Sequence, residues 1–147
     1  MLYFAYGSNM SHKEMLRHCS NSKFLESVRL KNYKFVYDGY SRNRNCSVAN
    51  VVEEIDNEVW GGLYEITKND LNSLNKKEGY PNTYQSKILE VSGNTSNFNA
   101  LVFYRTGECE GDPSEEYRNL VIEGADDCSL PDWLCHFYFY RLSCGIN

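Results

Sequence analysis

The chain is poor in proline, with 3 in 147 residues, and in tryptophan, with 2. It contains no apolar run near the roughly 18 residues needed to cross a bilayer. No basic segment followed by a long apolar one opens it, so the expectation is a soluble, intracellular, cytoplasmic protein with no membrane partner. Positive charge is in deficit, since 15 Lys and Arg against 20 Asp and Glu leave a net charge of −5 at pH 7. Gripping nucleic-acid phosphates needs a basic face, so no nucleic-acid partner is expected. Cys-x-x-Cys pairs are absent. The six cysteines, Cys19, Cys46, Cys109, Cys128, Cys135 and Cys144, are scattered without ligand spacing, which argues for free thiols and against a metal site. There is no G-x-S-x-G, and none of His12, His18 and His136 falls in a motif, so the usual signatures of a nucleophilic enzyme are missing. Repeats, linkers and low-complexity tracts are also missing, and the length suits a single domain over residues 1–147.

What is present in excess is tyrosine, 12 residues, and the first of these stand in the most informative stretch. Leu2-Tyr3-Phe4-Ala5 reads as a buried strand that stops at Tyr6-Gly7-Ser8-Asn9. There Gly7 permits positive φ or a close backbone approach, and Ser8 and Asn9 bond locally. Ser11-His12-Lys13-Glu14 has the S-x-x-E pattern of a capping box, predicting a helix to about Cys19 with Met15 and Leu16 inward. Strand, tight turn and helix start bring several free N–H groups to one spot, which suits an anion.

Val28 and Leu30, then Tyr33, Phe35 and Tyr37, alternate with polar neighbours on either side of a kink near Lys31-Asn32, and Asp38-Gly39 is expected to end that strand. Ser41 to Asn45 reads as a solvated polar loop. Ser47–Val52 and Val59–Ile66 are expected to form a hairpin about Asp56-Asn57. The Gly61-Gly62 pair inside the second strand calls for a compensating bulge, barrel bend or close approach. Thr67 to Asp70 opens a short helix with Leu71 and Leu74 on one face and Gly79 as its stop. Tyr84–Val91 and Ala100–Arg105 read as a further antiparallel pair joined by Ser92-Gly93-Asn94. Pro113-Ser114 starts a helix to about Asp126, with Tyr117, Leu120, Val121 and Ala125 at helical spacing. A last aromatic helix from Pro131, with Trp133, Leu134, Phe137, Tyr138 and Tyr140, suggests burial against the sheet or a homodimer contact. The fold class expected is α+β, a small mixed, mostly antiparallel β-barrel of five to six strands flanked by three to four helices.

One carboxylate stands where local rules disfavour it. Glu78 ends a helix, next to Gly79, where the helix dipole opposes negative charge, and a raised pKa there would suit a general base. The alternative is a surface glutamate paired with Lys76 or Lys77.

Tyr6-Gly7-Ser8-Asn9 after Tyr3-Phe4-Ala5 closely resembles the opening of the γ-glutamylcyclotransferase (AIG2-like) family. Glu58-Val59-Trp60-Gly61-Gly62-Leu63-Tyr64-Glu65-Ile66, then Leu71 to Gly79 and Tyr84, resemble its central strand, short helix and catalytic glutamate, over about Leu2 to Leu130. Ser41 to Asn45 departs from the family's glycine-containing segment. The resemblance implies a reaction in which the α-amine of a γ-glutamyl group attacks its own γ-carbonyl. That releases 5-oxoproline with the amino acid or amine formerly attached, as part of glutathione metabolism and with no cofactor. It implies Glu78 as general acid/base, the Tyr6-Gly7-Ser8-Asn9 loop as substrate anchor, and Tyr84 and Tyr117 as pocket tyrosines. Two rival readings are a cyclotransferase for γ-glutamyl amines or isopeptides, and a non-catalytic γ-glutamyl-binding protein on the same scaffold.

Overall fold

The computed structural model describes residues 1–134. Phe137, Tyr138 and Tyr140, and with them the expected homodimer contact, lie outside the described residues, as do His136, Cys135 and Cys144. A closed barrel of five strands runs β1 (Leu2–Ala5), β3 (Cys46–Glu65), β2 (Lys23–Ser41), β4 (Gln85–Ser92), β5 (Asn97–Tyr104). Closure comes from a parallel contact, Tyr3 opposite Leu101, while the other pairings are antiparallel. The fold class expected from the sequence is therefore observed.

The long β2–β3 hairpin corrects two expectations. Residues 46–65 form one strand, paired with β2 from Ser41↔Cys46 to Lys23↔Glu65, instead of a hairpin about Asp56-Asn57. Asp56 takes a left-handed φ of 67° opposite the irregularity at Lys31–Tyr33, where Asn32 has φ 65°, so both strands kink together and pairing survives. Asp38-Gly39 does not end β2; it carries a register shift, and the strand continues to Ser41. At Gly61 the compensation is a close approach, because a Cβ there would lie 2.3 Å from the Ala5 carbonyl oxygen and 2.7 Å from the Phe4 ring. β1 can lie against β3 at that depth only with no side chain in between.

The helices hold the ends of β1 and β3. A 3-10 turn, Ser8–Met10, follows β1 and leads into α1 (His12–His18). Ser11 Oγ accepts from the Glu14 N–H at 3.2 Å, but the Glu14 carboxylate does not return the bond. It faces three cations, Arg17, Arg44 and Lys77, and the His18 imidazole instead. Met15 is buried as expected, whereas Leu16 is 52% exposed, on the outer face of α1. α2 (Lys68–Glu78) carries a full capping box, Thr67 with Asp70, and ends on Gly79 in the left-handed region. α3 (Glu115–Asp127), capped by Ser114, buries Tyr117, Val121, Gly124 and Ala125, while Leu120 is half-buried. A short α4 spans Asp132–Leu134. Barrel and helices enclose one core, in which Phe4, Leu63, Leu74, Val91 and Val121 are fully buried. No helix among the described residues is long and apolar enough to cross a membrane.

Candidate active site

The 3-10 turn, the last residue of α2 and the first turn of α3 meet over one end of the barrel. A cavity of about 50 Å³ lies among them, lined by Tyr3, Tyr6, Gly7, Ser8, Asn9, Ala49, Glu78, Tyr84, Phe103 and Tyr117. It adjoins a vestibule of about 600 Å³ through the shared walls Ser8, Glu78, Tyr84 and Tyr117. All seven residues singled out from the sequence, Glu78, Tyr6, Gly7, Ser8, Asn9, Tyr84 and Tyr117, line the smaller cavity.

Gly7 has φ −115°, so positive φ is not what the position requires. A Cβ there would stand 3.2 Å from the Ala49 Cβ and 3.3 Å from the Tyr117 hydroxyl, and the tight fit brings the turn down onto the cavity. Within the turn the first backbone bonds are Met10 N–H to Gly7 O and Ser11 N–H to Ser8 O, both 3.1 Å. The amides of Gly7, Ser8 and Asn9 are therefore not consumed by the turn itself.

Glu78 keeps a partly exposed face, while its carboxyl is withdrawn from bulk water. Burial raises its pKa above the usual glutamate range, opposed by the positive charges of Lys77, Arg44 and Arg105. The raised value expected from the sequence is present, with desolvation as its cause. Asn9, 3% exposed, donates from Nδ2 to Tyr3 Oη at 3.0 Å and to Glu78 Oε1 at 3.5 Å.

The four cavity tyrosines divide by where their hydroxyl protons go. Tyr6 donates to the Phe103 carbonyl at 2.6 Å and Tyr84 to the Ala49 carbonyl at 2.8 Å, so both protons are committed to backbone. Tyr117 instead accepts from the Ala49 N–H at 3.1 Å, and Tyr3 accepts from Asn9. Those two hydroxyls retain a proton that can be directed into the cavity. Burial pushes the Tyr117 phenol up to about 12 and the Tyr3 phenol well above its ordinary value, so both are neutral donors at physiological pH.

Several participants were not read from the sequence as site residues. Tyr3 was assigned only to a strand, and Ala49 and Phe103 contribute backbone that no local pattern marks. Arg44 was expected in a solvated loop, yet its guanidinium reaches Glu14 Oε1 at 3.6 Å and lies over the Tyr117 ring at 5.0 Å. Ser41 at the end of β2 and Arg42 and Asn43 of the same loop line the vestibule, as do Lys76, Lys77 and Arg105. His12 packs on Phe24 at 4.7 Å, and His18 Nε2 lies 3.3 Å from Glu14. Among the described residues no group of three or more His, Cys, Asp or Glu could hold a metal ion.

The chain belongs to the AIG2-like family, whose model matches residues 58–137, more than half its length. It is 27% identical over 138 residues to the γ-glutamylcyclotransferase of Homo sapiens, covering 88% of this chain and 72% of that protein. The γ-glutamylcyclotransferase of Bos taurus is 28% identical over 137 residues with the same coverage. A solved structure named γ-glutamyl cyclotransferase superposes with a TM-score of 0.88 at 24% identity, over 93% of this chain and 85% of that one, so the barrel fold is shared.

Proposed function

We propose that this protein is a cytoplasmic γ-glutamylcyclotransferase, which cyclises a γ-glutamyl compound to 5-oxoproline and releases the attached amino acid or amine. The observation that carries the reading is the desolvated Glu78 carboxyl facing the Tyr6-Gly7-Ser8-Asn9 turn across a small polar cavity. The similarity to proteins named γ-glutamylcyclotransferase supports it.

In this mechanism the γ-glutamyl group fills the inner cavity and the leaving group lies in the vestibule. The substrate's α-nitrogen forms a bond to its own γ-carbon, and the bond from that carbon to the departing nitrogen breaks. Two protons leave the attacking nitrogen as the ammonium becomes a lactam, and two arrive on the departing nitrogen, which leaves as an ammonium. Glu78 is the shuttle between them, and its raised pKa suits acceptance and return of a proton near neutrality. Forming a five-membered ring within one bound molecule draws on proximity, worth several kcal/mol once the chain is folded correctly. Backbone amides of Gly7–Asn9 and the hydroxyls of Tyr3 and Tyr117 are the donors available for the substrate carboxylate and for charge developing on the γ-carbonyl oxygen. No enzyme nucleophile is required.

The test is release of 5-oxoproline from a panel of γ-glutamyl amino acids, dipeptides and amines. Turnover of any member supports the reading. Binding of several members with no 5-oxoproline formed favours instead a γ-glutamyl-binding protein on the same scaffold.

A further inference from the structure

We propose that Lys77 is a positioning residue for Glu78: from the vestibule side, outside the inner cavity, its ammonium fixes the orientation of the Asn9 amide and supplies positive charge that favours the ionised form of Glu78. This rests on Glu78 being the reactive carboxylate of the proposed function. The adjacent lysines look alike in sequence, yet only Lys76 is exposed, while the Lys77 side chain retains 18% of its accessibility.

The Lys77 Nζ contacts Asn9 Oδ1. An ammonium can only donate, so it selects the oxygen of the Asn9 amide and leaves the NH₂ end facing Tyr3 Oη and Glu78 Oε1. Without a fixed donor on that side the amide is free to turn over, presenting its carbonyl oxygen to the Glu78 carboxylate, acceptor against acceptor. The charge that faces Lys77 from α1 is Glu14, whose Oε1 lies 3.9 Å from Nζ. Glu14 is only 8% exposed and also meets Arg17 at 3.1 Å, His18 at 3.3 Å and Arg44 at 3.6 Å, so it remains well paired if Lys77 is replaced. The other charged groups that bear on Lys77 are Glu78 on α2 and Arg44 on the β2–β3 loop, with the thiol of Cys19 behind them. Those bearing on Glu78 are Lys77, Arg44 and, from beyond β5, Arg105; Tyr3, Tyr6, Tyr84 and Tyr117 face it from the barrel and α3. Burial pulls the Lys77 pKa down, and the two flanking carboxylates oppose that, which makes the ammonium and Glu78 mutually supporting.

The experiment is a carbon-detected NMR titration of the Glu78 carboxyl in substrate-free wild type, Lys77→Met and Lys77→Arg, alongside pH profiles of kcat/KM. In Lys77→Met the Glu78 midpoint is expected to rise by about one pH unit, the effect of losing an opposite charge on the adjacent residue. The acid limb of kcat/KM should move up with it, and kcat should fall at least about tenfold through lost orientation while KM stays within about twofold. Lys77→Arg, which still donates and still carries charge, should restore both. Should Lys77→Met not fold, Lys77→Gln, neutral but able to donate to Asn9, carries the same titration expectation. An unchanged Glu78 midpoint in a folded, uncharged variant overturns the proposal, as does failure of Lys77→Arg to restore it. The titration needs no substrate, so it decides the role of Lys77 even if no γ-glutamyl compound is turned over.

Discussion

The Asn9 amide donates to the Glu78 carboxylate at 3.5 Å, although the two residues stand 69 positions apart. One belongs to the turn after the first strand and the other ends α2, and they meet because β1 and β3 pair from Leu2↔Glu65 to Ala5↔Gly62. The pairing places the start of α2 beside the N-terminus of the chain, so that the end of the helix returns over the turn. The site is thus a product of the β1–β3 pairing.

Replacing Glu78 with Gln retains shape and removes proton acceptance. Turnover should fall by about two to four orders of magnitude, the usual contribution of a general base, with substrate affinity largely kept. Rates and calorimetric binding measured on the same preparation check it, and near-normal activity would remove Glu78 from the role of base.

The same variant should be more stable than wild type at neutral pH. Burial raises the folded-state pKa of Glu78, so over the interval between the unfolded and folded values the native protein binds more protons than the unfolded chain. Stability from this group therefore falls as pH rises through that interval, and ionised Glu78 is a cost above it. Glu78→Gln removes the cost. Thermal melts should show a higher Tm for the variant near pH 7, with the difference closing as pH falls below the unfolded value of about 4.3. An equal gain at every pH would place its origin elsewhere.

The tyrosine hydroxyls allow a paired comparison. Tyr117→Phe removes a hydroxyl whose proton is available to the cavity, whereas Tyr84→Phe removes one already donated to the Ala49 carbonyl. Tyr84→Phe should mainly cost stability, about 1 kcal/mol for a lost buried hydrogen bond. Tyr117→Phe should lower kcat/KM more than Tyr84→Phe does. Steady-state kinetics and denaturant unfolding of both variants give the two comparisons, and equal kinetic losses would mean that the Tyr117 proton is not used.

At Gly61 a methyl group would lie 2.3 Å from the Ala5 carbonyl oxygen, backbone that cannot turn aside as a side chain would. Gly61→Ala should destabilise by at least about 1–3 kcal/mol, the cost of overpacking a filled core. Because Ala5 directly precedes the Tyr6-Gly7-Ser8-Asn9 turn, activity should fall even in the folded fraction. Unfolding curves and specific activity per folded molecule measure both.

What could be read from sequence was local. Thr67 with Asp70 and Gly79 marked both ends of α2, and so placed Glu78 at a helix terminus before any tertiary contact was known. The Ser11 cap was legible too, but not the whole fate of Glu14: Arg17 and His18 meet it on its own helix at 3.1 and 3.3 Å, while Arg44 and Lys77 reach it from other elements at 3.6 and 3.9 Å. Asp56 looked like a turn, and its left-handed φ is real. Its meaning was set by β2, which kinks alongside and keeps one strand where two were expected. Arg44 and Tyr3 escaped notice for a similar reason: a polar loop residue and a strand aromatic gain roles only through partners distant in the sequence.

The most direct test of the central claim is incubation with a γ-glutamyl substrate in oxygen-18 water, with mass analysis of the first product. If the substrate's own α-amine attacks, no solvent oxygen enters, and the product is unlabelled 5-oxoproline; the α-N-acetylated compound, whose nitrogen is a poor nucleophile, competes for the site without turning over. Labelled free glutamate as the initial product, or cleavage of the acetylated compound, would contradict intramolecular cyclisation at Glu78.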